Sequence, residues 1–136
     1  MELSRLFYLD SCIVIYLVEE HPVHAPVIRQ ILGQKAGIVC FSALVELEAM
    51  VLPLRLGQDH LVRRFQRFFE TCQRLSIPDP VYLRAAELRA GYGLKTPDAM
   101  HLAIAKHHAC DELWTNDNRL DAVSLGMVRN ILVDRV

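Results

Sequence analysis

The chain has 136 residues, 52% of them hydrophobic and 23% charged, and carries a formal net charge of −1. That length suits a single domain spanning residues 1–136 and able to bury a core, and the composition excludes a disordered chain. The near-neutral charge excludes a globally basic nucleic-acid binder, so any basic surface must be local.

Taken in chain order, the first feature is the apolar run LFYLDSCIVIYLV at residues 6–18. It is shorter than the roughly 20 residues that span a bilayer, and Asp10 sits in its middle. It also lacks the basic start and the cleavage site of a secretory leader. The run therefore reads as a buried strand over residues 5–9 and a buried helix over 11–20, ended by His21-Pro22, with no membrane segment. A second helix is expected from about residue 26 to Gly33. GIVCF at residues 37–41 is β-branched enough for a second strand. Ser42 then stands as N-cap of a helix reaching about residue 54. Asp59 caps a further helix through residue 71, and residues 74–77 form a third strand. A helix over 80–91 is closed by the glycines of GYG. Thr96-Pro97 is a strong helix start, with Thr as N-cap and Pro at the first helical position, and that helix runs to about residue 108. ELWT at residues 112–115 is the fourth strand. A turn, a short helical piece and a last strand near 128–132 complete the chain.

Strands separated by helices throughout imply an α/β fold with a parallel sheet between helical layers. In such sheets, ligands gather at the carboxyl ends of the strands. The acids fall there. Asp10 ends the first strand, and Asp117 follows the fourth in the sequence TND. Asp98 lies in the first turn of its helix, where the dipole favours negative charge. The helix after the second strand offers Glu46 and Glu48, which stand about 200° apart around the axis and so cannot face one site together. Glu48 shares a stripe with Leu44 and Val51 and is preferred; Glu46 lies on the side of Ser42, Ala49 and Met50.

Each acid also has a purely structural reading. Asp98 suits any helix start, and Asp117 suits a side-chain-capped turn. Asp10 is harder to explain away, because a charge between two apolar elements is costly unless partnered. Carboxylates about 4 Å apart repel by roughly 4 kcal/mol at an effective dielectric of 20, so a cluster raises its own pKa values or recruits a cation. All-oxygen donors select hard ions, which points to Mg²⁺ or Mn²⁺, one or two of them, and to phosphate chemistry.

The ordered set YLDS, Ser42 with Glu48 six residues on, LKTPDAMHLA and WTNDNRL resembles the PIN-domain ribonucleases, in particular the VapC-type toxins, over nearly the whole chain. The resemblance implies a three-layer α/β/α sandwich with a central parallel sheet of order 3-2-1-4-5. It implies an endoribonuclease whose metal ligands are Asp10, Glu48, Asp98 and Asp117, with Ser11, Thr115 and Asn116 shaping the pocket. Hydrolysis would leave a 5′-phosphate and a 3′-hydroxyl. It further implies an antitoxin partner, which places a basic side chain in the acidic site, and a homodimer. The apolar helices 12–18 and 44–52 offer a groove for such a partner. Glu46 departs from the family pattern, in which that position is often non-acidic.

Other features read as structural. Arg63, Arg64 and Arg67 form a basic stripe opposite Phe65, Phe68 and Phe69, preferred as a solvated helix face over an RNA contact. His101, one turn after Asp98 and facing a similar direction, is a candidate to position a phosphate or water, but a satisfied core histidine is the preferred reading. Cys12, Cys40, Cys72 and Cys110 form no C-x-x-C pair, as expected of reduced thiols in a cytoplasmic protein. Two rival functions share the acid-at-strand-end pattern. A receiver-like phosphoryl-transfer domain would need a second acid beside Asp10 and a late lysine, and no lysine follows Lys106. A non-catalytic module binding RNA or protein would not need the full acid set.

Overall fold

The computed structural model describes residues 4–117, 120 and 126–132. Five strands, β1 (Leu6–Leu9), β2 (Ile38–Ser42), β3 (Gln73–Leu75), β4 (Glu112–Thr115) and β5 (Val128–Asn130), alternate with six helices among the described residues. The helices are α1 (Ser11–Val18), α2 (His24–Gln34), α3 (Ala43–Arg55), α4 (Asp59–Glu70), α5 (Asp79–Tyr92) and α6 (Thr96–His107). The sheet order is β3-β2-β1-β4-β5, with every pairing parallel. The α/β sandwich and its 3-2-1-4-5 order are those expected from the sequence.

β1 lies at the centre of the sheet, and LFYL is apolar at every position because a parallel strand is covered on both faces. Phe7 stacks on Trp114 of β4 with ring centroids 5.5 Å apart, and both are buried. Burial of each such side chain contributes about 1.5–3 kcal/mol. Helices α1 to α4 contact one another, while α5 and α6 pack together. Right-handed crossovers place these two groups on opposite faces of the sheet. Gly37 permits the start of β2: a Cβ there would lie 2.5 Å from the Phe7 ring and 2.8 Å from the Arg5 carbonyl.

Element ends shift where local chemistry differs from the sequence signal. α5 runs through Gly91 and Tyr92 and stops only at Gly93, whose φ of 68° no side-chain-bearing residue adopts cheaply. Lys95, not Thr96, caps α6, so Pro97 falls one position inside the start expected for it. Gln58, not Asp59, caps α4, and Asp59 sits in the first turn. The short helical piece after β4 falls mostly outside the described residues. No helix among the described residues is long and apolar enough to cross a membrane, and all four cysteines are free thiols.

The chain leaves β1 towards β2 on one side and returns through β4 on the other. The carboxyl ends of β1 and β4 therefore form the switch point at which α/β sheets open a crevice.

Candidate active site at the carboxyl edge of the sheet

Asp10 occupies the first position beyond β1. Its backbone N–H donates to the Trp114 carbonyl at 3.1 Å, which extends the pairing with β4 and fixes where the side chain emerges. The residue is also the N-cap of α1, and its Oδ1 accepts from the Ile13 N–H at 3.3 Å. The residue is 8% exposed. Burial pushes the Asp10 carboxyl above its ordinary pKa, against the lowering effects of hydrogen bonds from Cys12 and Thr115, the nearby His101 and the Ile13 N–H.

Cys12 Sγ lies 2.7 Å from Asp10 Oδ1 and 3.2 Å from Asn116 Oδ1. Its single proton serves the carboxylate, the stronger acceptor. Burial and the neighbouring Asp10 hold this thiol protonated. Asn116 in turn donates from Nδ2 to Tyr16 Oη at 3.0 Å, tying the end of β4 to α1. Thr115 is buried, and its Oγ1 accepts from the Asp117 N–H at 3.1 Å. This side-chain-closed turn sets the course of the chain at Asp117, which is half-buried. Ser11 is the first residue of α1 and Asp98 lies in the first turn of α6, both half-buried.

The two glutamates of α3 have different partners. Glu46 pairs with Arg74 at 3.4 Å across an exposed surface. Glu48 Oε1 lies 2.6 Å from His101 Nε2. The face argument that favoured Glu48 in the sequence does not hold as stated: the buried residues of α3 are Val45, Ala49 and Pro53, whereas Leu47 and Val51 are exposed. Glu48 stands at the flank of the buried face, where α3 reaches towards α6.

Sequence reasoning did not find the partner that Glu48 uses. His101 is 3% exposed, and its Nδ1 lies 2.8 Å from Tyr8 Oη, which is itself 2.7 Å from Ser42 Oγ. Ser42 is the N-cap of α3 by position, but its side chain makes no capping bond. The available signal was periodicity: Tyr8 precedes Asp10 by two on a strand and His101 follows Asp98 by three on a helix, so each shares a face with an acid.

The structure thus brings Asp10, Glu48 and His101 to the same edge. Asp98 lies one helical turn before His101, and Asp117 lies two residues beyond β4. Among the described residues no three His, Cys, Asp or Glu side chains converge as a ready-made metal site. The donor chemistry nevertheless suits a hard divalent cation: the four acids offer only oxygens, and Asp10 is a buried carboxylate whose charge is disfavoured by its surroundings.

Elsewhere, Arg64 is not simply solvated, since its guanidinium donates to the Val18 carbonyl at the end of α1. With Leu17, Val18, Leu32, Arg67 and Phe68 it lines a groove between α1, α2 and α4. α1 contributes Leu17 and Val18 to this groove, and α3 exposes Leu47, Val51, Leu52 and Leu54.

Comparison with known proteins gives a consistent result. The PIN domain family matches residues 7–125 of the chain. A toxin–antitoxin complex from Klebsiella pneumoniae contains a chain 27% identical, with a TM-score of 0.74, covering 94% of this chain and 98% of that one. VapBC2 from Rickettsia felis, solved with a DNA fragment from its promoter, matches at 14% identity and a TM-score of 0.75, covering 91% and 97%. VapC20 from Mycobacterium tuberculosis, described as a toxin cleaving the sarcin-ricin loop, matches at 13% identity and 0.74, covering 90% and 96%. The last two likenesses speak for the fold alone. No curated protein matches the chain by sequence.

Proposed function

The chain belongs to the PIN domain family, and on that premise we propose that it is a divalent-metal-dependent endoribonuclease, the toxin of a toxin–antitoxin pair. The observation that carries this reading is the buried Asp10 carboxylate at the switch point of the sheet, with Glu48 and His101 meeting at the same edge. A buried acid without a role is costly, and this one lies where α/β sheets bind ligands.

Asp10, Glu48, Asp98 and Asp117 are the residues that would hold Mg²⁺ or Mn²⁺. Such an ion supplies Lewis acidity, which makes water a nucleophile at neutral pH and offsets charge gathering on the phosphate. The chain's own part is to fix these acids. Asp10 is held by the Ile13 N–H and by Cys12, and the turn at Asp117 is closed by Thr115. Asn116, braced against Tyr16, shapes the side of the pocket together with Ser11 and Thr115. Water would attack phosphorus in line with the departing 3′-oxygen. The water loses one proton, the 3′-oxygen leaves with one, and the products carry a 5′-phosphate and a 3′-hydroxyl. No side chain needs to become covalently attached to the substrate.

The Klebsiella pneumoniae chain was solved in a toxin–antitoxin complex, which supports an antitoxin as the protein partner here. The groove between α1, α2 and α4 has an apolar floor and Arg67 at its rim, with Arg29 paired to Glu20 and Arg64 bonded to the Val18 carbonyl, a surface suited mainly to an apolar segment. The exposed Leu47, Val51 and Leu54 of α3 offer a second copy a surface for a homodimer.

End-group analysis of cleaved RNA tests the chemistry. Products with 5′-phosphate and 3′-hydroxyl ends are expected. Ends bearing 2′,3′-cyclic phosphate would report attack by the ribose hydroxyl and contradict metal-assisted hydrolysis. RNA bound but left intact under every metal condition would favour a non-catalytic binding module.

A further inference from the structure

Ser42, Tyr8, His101 and Glu48 form a continuous line of hydrogen bonds of 2.7, 2.8 and 2.6 Å, drawn from β2, β1, α6 and α3. From its geometry we infer that His101 is a positioning residue: its Nε2–H holds the Glu48 carboxylate in the orientation that receives a divalent cation, while Tyr8 and Ser42 fix the tautomer of the imidazole. The inference rests on the proposed metal-dependent reading and adds to it a part of the site outside the four acids.

The direction of the line follows from donor and acceptor chemistry. An ionised carboxylate only accepts, so the hydrogen between Glu48 and His101 sits on Nε2. In the neutral ring Nδ1 is then an acceptor, and the Tyr8 hydroxyl must donate to it. The Tyr8 oxygen accepts from the Ser42 hydroxyl. All three hydrogens point towards Glu48, and each buried polar atom is satisfied in one consistent arrangement. The opposite direction, with Nδ1–H donating to Tyr8, would leave two lone pairs facing each other at 2.6 Å unless Glu48 were protonated or the ring charged.

Several details set this apart from a histidine merely satisfied in a core. Both ring nitrogens meet side chains from other elements rather than nearby carbonyls. Ser42 gives its hydroxyl to Tyr8 although it stands at the N-cap of α3, where it could serve a backbone N–H. The Glu48 side chain is 24% exposed, so water was open to it, yet it is held against a ring that is 3% exposed. Restricting a long, partly solvated carboxylate costs rotamer freedom. Its bond to His101 uses Oε1 and leaves Oε2 outside that bond. Carboxylates that ligate metals are characteristically oriented by such outer hydrogen bonds, and loss of the outer partner typically lowers metal affinity about 10–100-fold.

The test compares the wild-type protein with His101→Ala, His101→Gln and Tyr8→Phe variants. Mn²⁺ affinity is read from the electron paramagnetic resonance of free ion, folding from circular dichroism, and the His101 tautomer from ¹⁵N chemical shifts without metal. The wild type is expected to bind Mn²⁺ and to carry its His101 proton on Nε2. His101→Ala should bind about 10–100-fold more weakly. His101→Gln, whose amide N–H reaches the place of Nε2, should recover most of that loss. Tyr8→Phe should bind less tightly than wild type and mix the tautomers. Folded His101→Ala with wild-type affinity would overturn the inference and leave the proposed nuclease standing. A wild type that binds no Mn²⁺ would overturn both. His101 found as the Nδ1–H tautomer would overturn the inference whatever the metal result, including where His101→Ala fails to fold.

Discussion

Glu46 and Glu48, two residues apart on α3, are held by partners from different parts of the fold: Glu46 by Arg74 of β3 at 3.4 Å, Glu48 by His101 of α6 at 2.6 Å. The first is a solvated ion pair of the kind worth about 0–1 kcal/mol. The second joins the two helical layers over the carboxyl edge of the sheet. Glu48→Gln should therefore lower RNA cleavage by about a hundredfold. Glu46→Gln should leave it within about twofold and change stability by no more than about 0.5 kcal/mol. Single-turnover rates of the two variants check this, and equal losses would show that the two positions are not distinguished.

Asp10 carries a stability cost that its proposed role as a metal ligand would explain. Its buried carboxylate is pushed above the ordinary range, so in the absence of a cation its charge works against folding. Asp10→Asn keeps an oxygen for the Ile13 N–H and removes the charge. The variant should be more stable than wild type without metal by about 0.5–2 kcal/mol. It should also lose the rise in melting temperature expected of the wild type in Mn²⁺. Thermal unfolding with Mn²⁺ and with EDTA measures both effects.

Thr115 closes the turn that carries Asp117 by accepting from its N–H at 3.1 Å. Thr115→Val removes that acceptor, together with the hydroxyl that donates to Asp10, with little change in shape, at a cost of about 0.5–1.5 kcal/mol. Cleavage should fall by about tenfold as the Asp117 backbone loosens and Asp10 loses one of its donors, a magnitude typical of supporting residues. Thr115→Ser should retain most of the rate, because the hydroxyl rather than the methyl is required.

Far from the site, Glu112 at the opposite end of β4 binds Arg5 at 2.9 Å and Lys35 at 2.8 Å, and accepts from Trp114 Nε1 at 2.8 Å. Burial alone would raise its pKa, but the hydrogen bonds from Lys35 and Trp114 and the charges of Lys35 and Arg129 outweigh it and bring the value below the ordinary one. A depressed carboxylate pKa gives stability that is fully present above the unfolded value, about 4.3, and lost as pH falls through the folded value. Glu112→Gln should cost about 1.5–3 kcal/mol at pH 7. The difference from wild type should shrink as the pH drops below about 4. Urea unfolding at several pH values follows it.

Much of this fold was legible because its signals are local. The apolar run at β1, the helix starts near Ser42 and Pro97, and the alternation of strand and helix give a parallel sheet, and the order 3-2-1-4-5 came with the family resemblance. The caps themselves differ, since the Ser42 side chain makes no capping bond and Lys95 stands where Thr96 was expected. The positions of Asp10, Asp98 and Asp117 at element ends were legible for the same reason. α3 was less so. Its outer face carries Leu47, Val51 and Leu54, and exposed leucines look like core ones to any periodicity argument, so the stated reason for preferring Glu48 misjudged which face is buried. His101 was read as a core residue because burial was foreseeable, whereas its partners lie 93 residues back at Tyr8 and 53 back at Glu48. Nothing in the sequence pairs residues so distant. Only the closing of the sheet does.

The central claim is that the acidic edge around Asp10 cuts RNA with the help of a divalent cation. The most direct measurement incubates purified protein and its Asp10→Asn and Asp98→Asn variants with a mixed RNA pool, in Mg²⁺, in Mn²⁺ and in EDTA. Cleavage by the wild type with either ion, none in EDTA, and none by either variant is the expected result. Cleavage that persists in EDTA, or in both variants with metal present, would contradict it.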